Sequence, residues 1–568
     1  DLQASAITGT LNFVFATNGS GKQALKPGRY QVIASRGLEY TIARQTITVN
    51  AGQDTKMDFA LERVVDTKGF VSADFHVHSG KSFDASVPLE DRIRSFAAEN
   101  VEVVVSTEHN YIADYAPIVS KLMLNKVMKT IVGDELTTSL PTPLFPQAFG
   151  HHIAFPIVEQ PFAPRRGAPF TEYVPAATFY DRVKTMNPNP SSKQVIQLNH
   201  PRAGLAGLTL IGLFNIVNYS PTRPIPIAFT VGSQLTSTTR NIDFDAMELM
   251  NGDSISGYQV TRNDWFGLIN QGFTKTATAV SDSHRAVVET PGFPVSFVAS
   301  PTDDPSAVKD EMVTSAVLSR NLVGTSGPFI RFNIQGQPIG SLVKKQAGKV
   351  KVDITVSAPA WVPVDEVRLL ENGKVVMTFD ANSKVKVNPA PSDPTSNQGV
   401  ERFKVTGLKV KPSKKDSFFT VEAGIKLPIV ADLNGDGVVD TGDTNGDGKV
   451  DAADRGFVQP PSPPIYAQIA PGFTSLGFTN PIFIDRNGNG KFDNAGVSAS
   501  AQFIDTPAQP IDIETDVVES LSDEKHHIRF PWYGLKVGAE EIKLLHQMLD
   551  ETTRQLIQPK QGKKGNEK

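Results

Sequence analysis

The sequence predicts an α/β fold: a distorted (β/α) barrel flanked by β-sandwich-like domains. Three observations lead there. From Phe70 onward strand-like and helix-like stretches alternate, the rhythm of parallel β/α units. Seven of the ten histidines fall between His76 and His284, in short phrases that follow β-rich runs, so the strand ends converge on one place. On both sides of this region short alternating strands are divided by Gly, Asn and Pro, the pattern of antiparallel β-structure.

Residues 1–65 read as a small β-domain, or the remaining half of a larger one. Its strands cover 7–15, 28–34 and 45–49, with turn punctuation at Asn18-Gly19-Ser20-Gly21. The barrel is expected over 66–330. Residues 69–75 read as a strand, and 88–99 as a helix with Leu89, Ile93, Phe96 and Ala97 on one face. Residues 101–105 are a short, mostly apolar run suited to a buried parallel strand. A last helix over 304–320 and the glycine-bounded 324–327 close the domain. The apolar run 205–217 is too short to cross a bilayer; it reads as a lid or pocket wall, or equally as a structural loop. Residues 331–428 read as a β-sandwich. Within it, 348–356 alternates polar and apolar, and 367–370 with 375–379 form a hairpin around Asn372-Gly373. Residues 429–510 carry acidic loops and return to the β-domain. The last part, 511–568, is a linker, a helix over 540–557 with Ile542, Leu545, Leu549 and Leu556 at helical spacing, and a disordered tail from Lys560. That helix docks on the protein body or on a second subunit.

Composition narrows the function classes. A chain of 568 residues, 39% of them hydrophobic, buries several cores. A net charge of −4 gives no general basic surface, so nucleic acid is not an expected partner. The absence of cysteine excludes disulfides, thiol chemistry and cysteine-bound zinc. The start Asp1-Leu2-Gln3-Ala4, without an initiator methionine or a signal peptide, reads as a processed terminus. No membrane span is expected.

The chemistry lies in the phrases Asp74-Phe75-His76-Val77-His78, Glu108-His109, Asp134-Glu135, His151-His152, Asn199-His200-Pro201 and Asp282-Ser283-His284. On a strand, His76 and His78 share a face about 6–7 Å apart, and Asp282 with His284 repeats that spacing. Imidazoles gathered with carboxylates suit two or three divalent transition metals, Zn, Mn or Fe, with one carboxylate bridging. Only one of His151 and His152 can face the metals, because neighbours on a strand point to opposite sides.

The order of these phrases, over roughly residues 66–330, is similar to that of the polymerase and histidinol phosphatase (PHP) superfamily of metal-dependent hydrolases. Residues 149–151, 199–201 and 248–251 resemble its carbaryl-hydrolase branch. The resemblance implies a PHP-type barrel and a first metal held by His76, His78, Glu135 and Asp282. A second metal would share Glu135 and take His151 and His200. A third would take Asp84, His109 and His284. Asp84 stands where some members have histidine, which puts the third site in question; Glu108 replaces a commoner aspartate, which alters only surrounding contacts. The match favours His151 as the ligand and leaves His152 as a buried, ligand-orienting or leaving-group residue. Glu248 matches a position beside the site, or is an ordinary strand-end acid. Arg202 is an anion binder or, equally, a surface charge. His152 and His284 are the available general acids.

A second signal lies further on. Residues 432–454 hold seven aspartates and one lysine, a cluster that repels itself without a cation. Asp432, Asn434, Asp436, Asp440 and Asp443 take positions 1, 3, 5, 9 and 12 of an EF-hand-like loop. Asp443, Asn445, Asp447, Asp451 and Asp454 repeat the pattern, and Asp485, Asn487, Asn489 and Asp493 form a weaker third. These resemble the calcium loops of dockerins or thrombospondin-type repeats; the plain alternative is a polar linker. Weak calcium loops suit a calcium-rich exterior, so a secreted, periplasmic or cell-surface bacterial protein is expected. The functional expectation is a metal-dependent hydrolase using a metal-bridging hydroxide on a small-molecule ester. A phosphoesterase comes first and a carbamate or carboxylic ester hydrolase second. A calcium-stabilised extracellular binding protein on an inactive barrel is the third reading. Homo-oligomerisation and cell-surface association stay open.

Overall fold

The computed structural model describes residues 13–137, 151–171, 176–201, 242–253, 255–285, 289–345, 347–428 and 462–493, with a few short stretches between 430 and 460. Strands β1 (Gly28–Ala34) and β2 (Ala43–Val49) form an antiparallel hairpin. Of the expected strand over 7–15, residues 7–12 lie outside the described residues and 13–15 are in no strand.

The α/β region then runs β3 (Phe70–Asp74), α1 (Leu89–Ala98), β4 (Val103–Ser106), α2 (Ala116–Lys121), β5 (Lys129–Val132) and β6 (Asp134–Thr137). It continues through β7 (His151–Phe155), α3 (Ala176–Lys184), β8 (Val195–Leu198), β9 (Ala246–Asn251), α4 (Ile255–Asn270) and β10 (Thr276–Val280). Strand β11 (Val295–Ala299), helix α5 (Asp310–Leu318) and strand β12 (Leu322–Thr325) complete it. Strands β3, β4 and β5 are parallel, as are β8, β9 and β10, while β7 runs antiparallel between β6 and β8.

The expected single barrel is replaced by two sheets. The chain leaves one and enters the other across Gly133 alone, where a Cβ would lie 2.7 Å from a Val105 methyl and 3.0 Å from two carbonyl oxygens. The sheets are joined by isolated bridges at His109–Glu135 and Val77–Ser283. Short strands and an antiparallel β7 leave no continuous ladder around the ring. Both sheets still share one core: Val71, Ala73, Val103, Val105 and Ile131 face Ile153, Phe155, Val195, Ala246 and Val280. Each large side chain buried there contributes roughly 1.5–3 kcal/mol, and the shared core holds the strand ends together.

The β-rich part contains β13 (Phe329–Ile334), β14 (Gln337–Pro338), β15 (Leu342–Lys344), β16 (Val350–Ser357), β17 (Glu366–Glu371) and β18 (Lys374–Phe379). It goes on with β19 (Glu401–Val410), β20 (Ser417–Gly424), β21 (Val430–Ala431), β22 (Thr441–Gly442), α6 (Pro464–Ile469), β23 (Leu476–Thr479) and β24 (Ile482–Asp485). Strand β16 alternates buried and accessible residues, the half-buried strand its sequence predicts. The β17–β18 hairpin turns on Asn372 (φ 53°) and Gly373 (φ 82°), the left-handed pair that Asn-Gly favours. One sheet runs β15-β24-β20-β23-β12-β11-β3-β4-β5, carrying β-structure from the far end of the chain up to the strands of the histidine phrases. Gly324 therefore lies inside β12 rather than in a closing loop. A Cβ there would overlap the Phe478 ring of β23, so the glycine serves packing and not a turn.

Asp432, Asn434, Asp436, Asp440, Asp443, Asp447 and Asp451 lie outside the described residues, as do residues 205–217 and the expected helix over 540–557. Asp454 is buried, and its Oδ1 accepts from the Thr444 and Asn445 amides at 2.7 and 3.3 Å. The third acidic loop is closed by its own hydrogen bonds. Asp485 accepts from the Gly490 amide at 2.8 Å, and Asn487 and Asn489 donate their side-chain amides to Asp493 at 2.7 and 2.8 Å. Among the described residues no helix is long and apolar enough to cross a membrane.

Candidate metal centre

The histidine phrases lie at neighbouring strand ends. His76 and His78 follow β3, Glu135 is in β6, His151 opens β7, His200 follows β8, and Asp282 and His284 follow β10. The Val77–Ser283 bridge sits between the two histidines, so both rings fall on one side, 5.0 Å apart. Backbone bonds from Asp282 N to His76 O (3.0 Å) and from His78 N to Ser283 O (3.2 Å) hold the two extensions side by side. Asp282 and His200 adopt left-handed backbone, φ 49° and 24°. Such conformations cost residues other than glycine about 1–2 kcal/mol and cluster at functional sites.

Four atoms define the centre. His76 Nε2 lies 3.3 Å from Glu135 Oε2 and 3.1 Å from Asp282 Oδ1. His78 Nε2 lies 3.2 and 3.3 Å from the same two oxygens. All four atoms are buried, and none makes a hydrogen bond. An unsatisfied buried polar atom costs about 1–3 kcal/mol, so four facing one point need a common partner, and a divalent cation fits them all.

Glu135 serves further groups. Its Oε1 lies 3.0 Å from His151 Nδ1 and 3.5 Å from His200 Nε2, and it accepts from Asn199 Nδ2 at 2.9 Å. Its Oε2 lies 2.9 Å from His109 Nδ1. Asp84 Oδ2 stands between His109 Nε2 (3.0 Å) and His284 Nε2 (3.3 Å), with the His78 ring 4.1 Å from that of His284. Ligand-type atoms of His78, Asp84, His109 and His284 all fall within 4.8 Å of one another.

Surrounding contacts fix which nitrogen each ring presents. His76 Nδ1 donates to Glu248 Oε1 at 2.7 Å, which leaves Nε2 as the lone-pair nitrogen. Glu248 is itself buried and also accepts from Gln197 Nε2, Asn251 Nδ2 and the His200 amide. Ser82 Oγ donates to Glu108 at 2.6 Å, so His78 Nδ1, 2.8 Å from that oxygen, supplies its own proton and keeps Nε2 free. Glu108 is held by the Ser79 amide and the Tyr115 hydroxyl. Asn251 Nδ2 also reaches Asp282 Oδ2 at 3.0 Å, turning Oδ1 toward the histidines.

Electrostatics run the same way. Burial alone would push the Glu135 carboxyl up, but His109, His76 and His151 hold it well below its ordinary value. On Asp282 burial again pushes up, and His76, His78 and His284 outweigh it, holding it well below its ordinary value. Burial disfavours a charged His76, yet Asp282, Glu135 and Glu248 raise it well above its usual range. Glu135 and Asp282 stay ionised and draw positive charge to the centre.

Other predicted residues fall as follows. His152 points the opposite way from His151. It is fully buried against Phe179 and Tyr180, its Nε2 is 3.1 Å from the Tyr180 hydroxyl, and burial lowers it to about 3. It does not reach the centre. His284 is partly exposed and is raised to about 9, where Asp84 and Asp282 outweigh burial. Arg202 lies outside the described residues. Sequence reading missed Ser82, Gln197, Asn199 and Asn251 as contacts. Only the last two stand inside the quoted phrases, and small polar residues otherwise carry no local signal.

No protein-family profile matches the chain, and no curated protein matches it. Among solved structures it is similar to a two-domain protein from Bacteroides vulgatus containing a predicted PHP-like metal-dependent phosphoesterase. Identity is 14%, over 65% of this chain and 95% of that one, with a TM-score of 0.33. It is also similar to endonuclease Q bound to a 27-mer duplex substrate with an abasic lesion, at 12% identity over 44% and 56% of the two chains, TM-score 0.27. The lesion-specific endonuclease Q from Pyrococcus furiosus matches at 12% identity over the same shares, TM-score 0.26. The chain spans little more than half the length of these two endonucleases. What the geometry defines is a buried, carboxylate-bridged cluster suited to several divalent metals, of the kind metal-dependent hydrolases use.

Proposed function

We propose that the chain is a metal-dependent phosphoester hydrolase on a distorted, opened PHP-type barrel. The supporting observation is the convergence of four buried atoms without a hydrogen bond, on His76, His78, Glu135 and Asp282. His76, His78, Glu135 and Asp282 would hold one ion. His151 and His200 with Glu135 would hold a second, and Asp84, His109 and His284 a third. Bound there, such ions supply Lewis acidity and activate water at neutral pH. The chain's own groups do the rest. Glu248 orients His76, Ser82 with Glu108 orients His78, and Asn251 orients Asp282. With no ion at the third position, His284, at the partly exposed edge, carries a proton at Nε2 beside Asp84 and can deliver it to a departing oxygen; with an ion there, it is a ligand instead.

A second reading, cleavage of aryl carbamates or carboxylic esters, is favoured by Phe83. Its ring is 82% exposed and lies 4.7 Å from that of His109, an apolar wall beside the cluster. The test is a screen of aryl phosphomono-, di- and triesters and aryl carbamates at about pH 6–9 with Zn, Mn or Fe supplied. Hydrolysis should be abolished by chelator and by His200→Ala or Asp282→Ala. A metal-replete protein that cleaves neither class would leave the binding-protein reading.

Calcium binding at residues 432–454, with export to a calcium-rich compartment, belongs to the same proposal and rests on the seven aspartates there. Added calcium should raise the melting temperature in EGTA-treated protein, since an ion that binds only the native state stabilises it. An unchanged melt would reduce the segment to a linker.

A further inference from the structure

We propose that Arg92 is a positioning residue that clamps the two ligand-bearing strand extensions in register. The inference rests on the metal-centre reading. Arg92 lies on α1 and is fully buried. Among the described residues its hydrogen bonds all run to backbone carbonyls: Nε to His78 O at 2.6 Å, Nη2 to Ser283 O at 2.9 Å and Nη1 to Arg285 O at 3.4 Å. Its guanidinium also sits 5.8 Å from the Phe96 ring centre. A buried charge with no ion pair among the described residues, only the longer-range field of Glu289, Glu108 and Asp74, costs several kcal/mol, so what it holds must matter to the fold or the site.

What it holds is the junction of the two sheets on this side. The extension of β3 carries His76 and His78, and that of β10 carries Asp282 and His284. A single bridge at Val77–Ser283 links them, and Asp282 departs from extended backbone with φ 49°. Two backbone bonds and the Ser281 amide on the Asp74 carboxylate (3.2 Å) tie the base of the extensions, and Arg92 ties their outer end. The planar guanidinium fork reaches one carbonyl on the first extension and two on the second, as a lysine ammonium cannot. Metal sites need ligands placed within about 0.5 Å, and here two ligands come from each side of the seam.

The charge of Arg92 separates this role from others. A cation near a metal site repels the metal, so a purely electrostatic effect makes its removal tighten binding. Loss of a clamp weakens binding. A merely structural effect lowers the melting temperature and leaves affinity alone.

The experiment is Mn(II) titration of the metal-stripped full chain, for wild type, Arg92→Gln and Arg92→Lys, with thermal melts alongside. Wild type should bind stoichiometrically. Both variants should bind roughly 10–100-fold more weakly, Arg92→Lys less affected than Arg92→Gln. Should Arg92→Gln not fold, Arg92→Lys decides alone. Affinity in Arg92→Lys within about twofold of wild type, or tighter, overturns the clamp. A wild-type chain that binds no Mn(II), Zn(II) or Fe(II) overturns the metal-centre reading instead, and with it the role of Arg92.

Discussion

Glu135 is the residue on which the centre turns, because its two oxygens face different imidazoles: Oε2 meets His76, His78 and His109, and Oε1 meets His151 and His200. Away from the centre, a buried carboxylate without such cations behaves in the opposite way. Glu102 is buried at the base of β4, and its Oε2 accepts from the Ser72 amide at 2.9 Å. Burial, reinforced by nearby Glu39, raises it from 4.5 to about 7. Its folded value thus lies above its unfolded one, so the native state binds the extra proton between those values. Stability is then highest below the unfolded value and falls as pH rises through the folded one. Glu102→Gln keeps the acceptor and removes the charge. It should stabilise the protein by on the order of 2 kcal/mol near pH 8 and change little near pH 4.5. Denaturant titrations at the two pH values check this, and a variant less stable near pH 8 would refute it.

At the scale of elements, the turn between β5 and β6 sets where Glu135 points. Gly133 is the single residue between the sheets, and a Cβ there meets Val105 and two carbonyl oxygens. Gly133→Ala should cost roughly 1–3 kcal/mol by overpacking and weaken metal binding, because Glu135 is two residues on. Unchanged stability would mean that the corner has room the structure does not show. Element-level reading was good where the pattern is local. The helix expected over 88–99 is α1, Leu89–Ala98, and the Asn372-Gly373 hairpin forms as its dipeptide demands. The buried strand expected at 101–105 lies at Val103–Ser106 instead, since an apolar run marks burial but not where the ladder begins. Arg92 was overlooked although its place on the apolar face of α1, four residues before Phe96, was a signal: a charge on a buried stripe needs a reason.

At the scale of the molecule, which side chains gather was legible and the topology was not. Metal chemistry restricts ligands to a few residue types, so their phrases stand out of the sequence. Strand pairing uses backbone groups that every residue has, so nothing local announces β23 lying between β12 and β20. The same distant pairing brings α4 against the β-rich part through a buried ion cluster. There Glu422 receives Arg262 at 2.9 Å, Arg368 at 2.8 Å and the Tyr258 hydroxyl. Burial opposes ionisation of Glu422, but the two arginines hold it at about 2, below 4.5. Its contribution is therefore present above about pH 4.5 and is lost as pH falls toward 2. Glu422→Gln should cost about 3–5 kcal/mol near neutrality by leaving half-buried Arg262 without its carboxylate and Arg368 with only the longer pair to Glu366, and the loss should shrink in acid. A variant as stable as wild type at pH 7 would remove the cluster from the account of what joins these parts.

The most direct test of the metal centre is anomalous X-ray diffraction from crystals of manganese-reconstituted protein. Two peaks are predicted on either side of the Glu135 carboxylate, about 3.5–4 Å apart, the first among His76, His78 and Asp282 and the second beside His151 and His200. Glu135→Gln should remove both peaks together. Peaks bound elsewhere, or none while these side chains keep their places, would contradict the account.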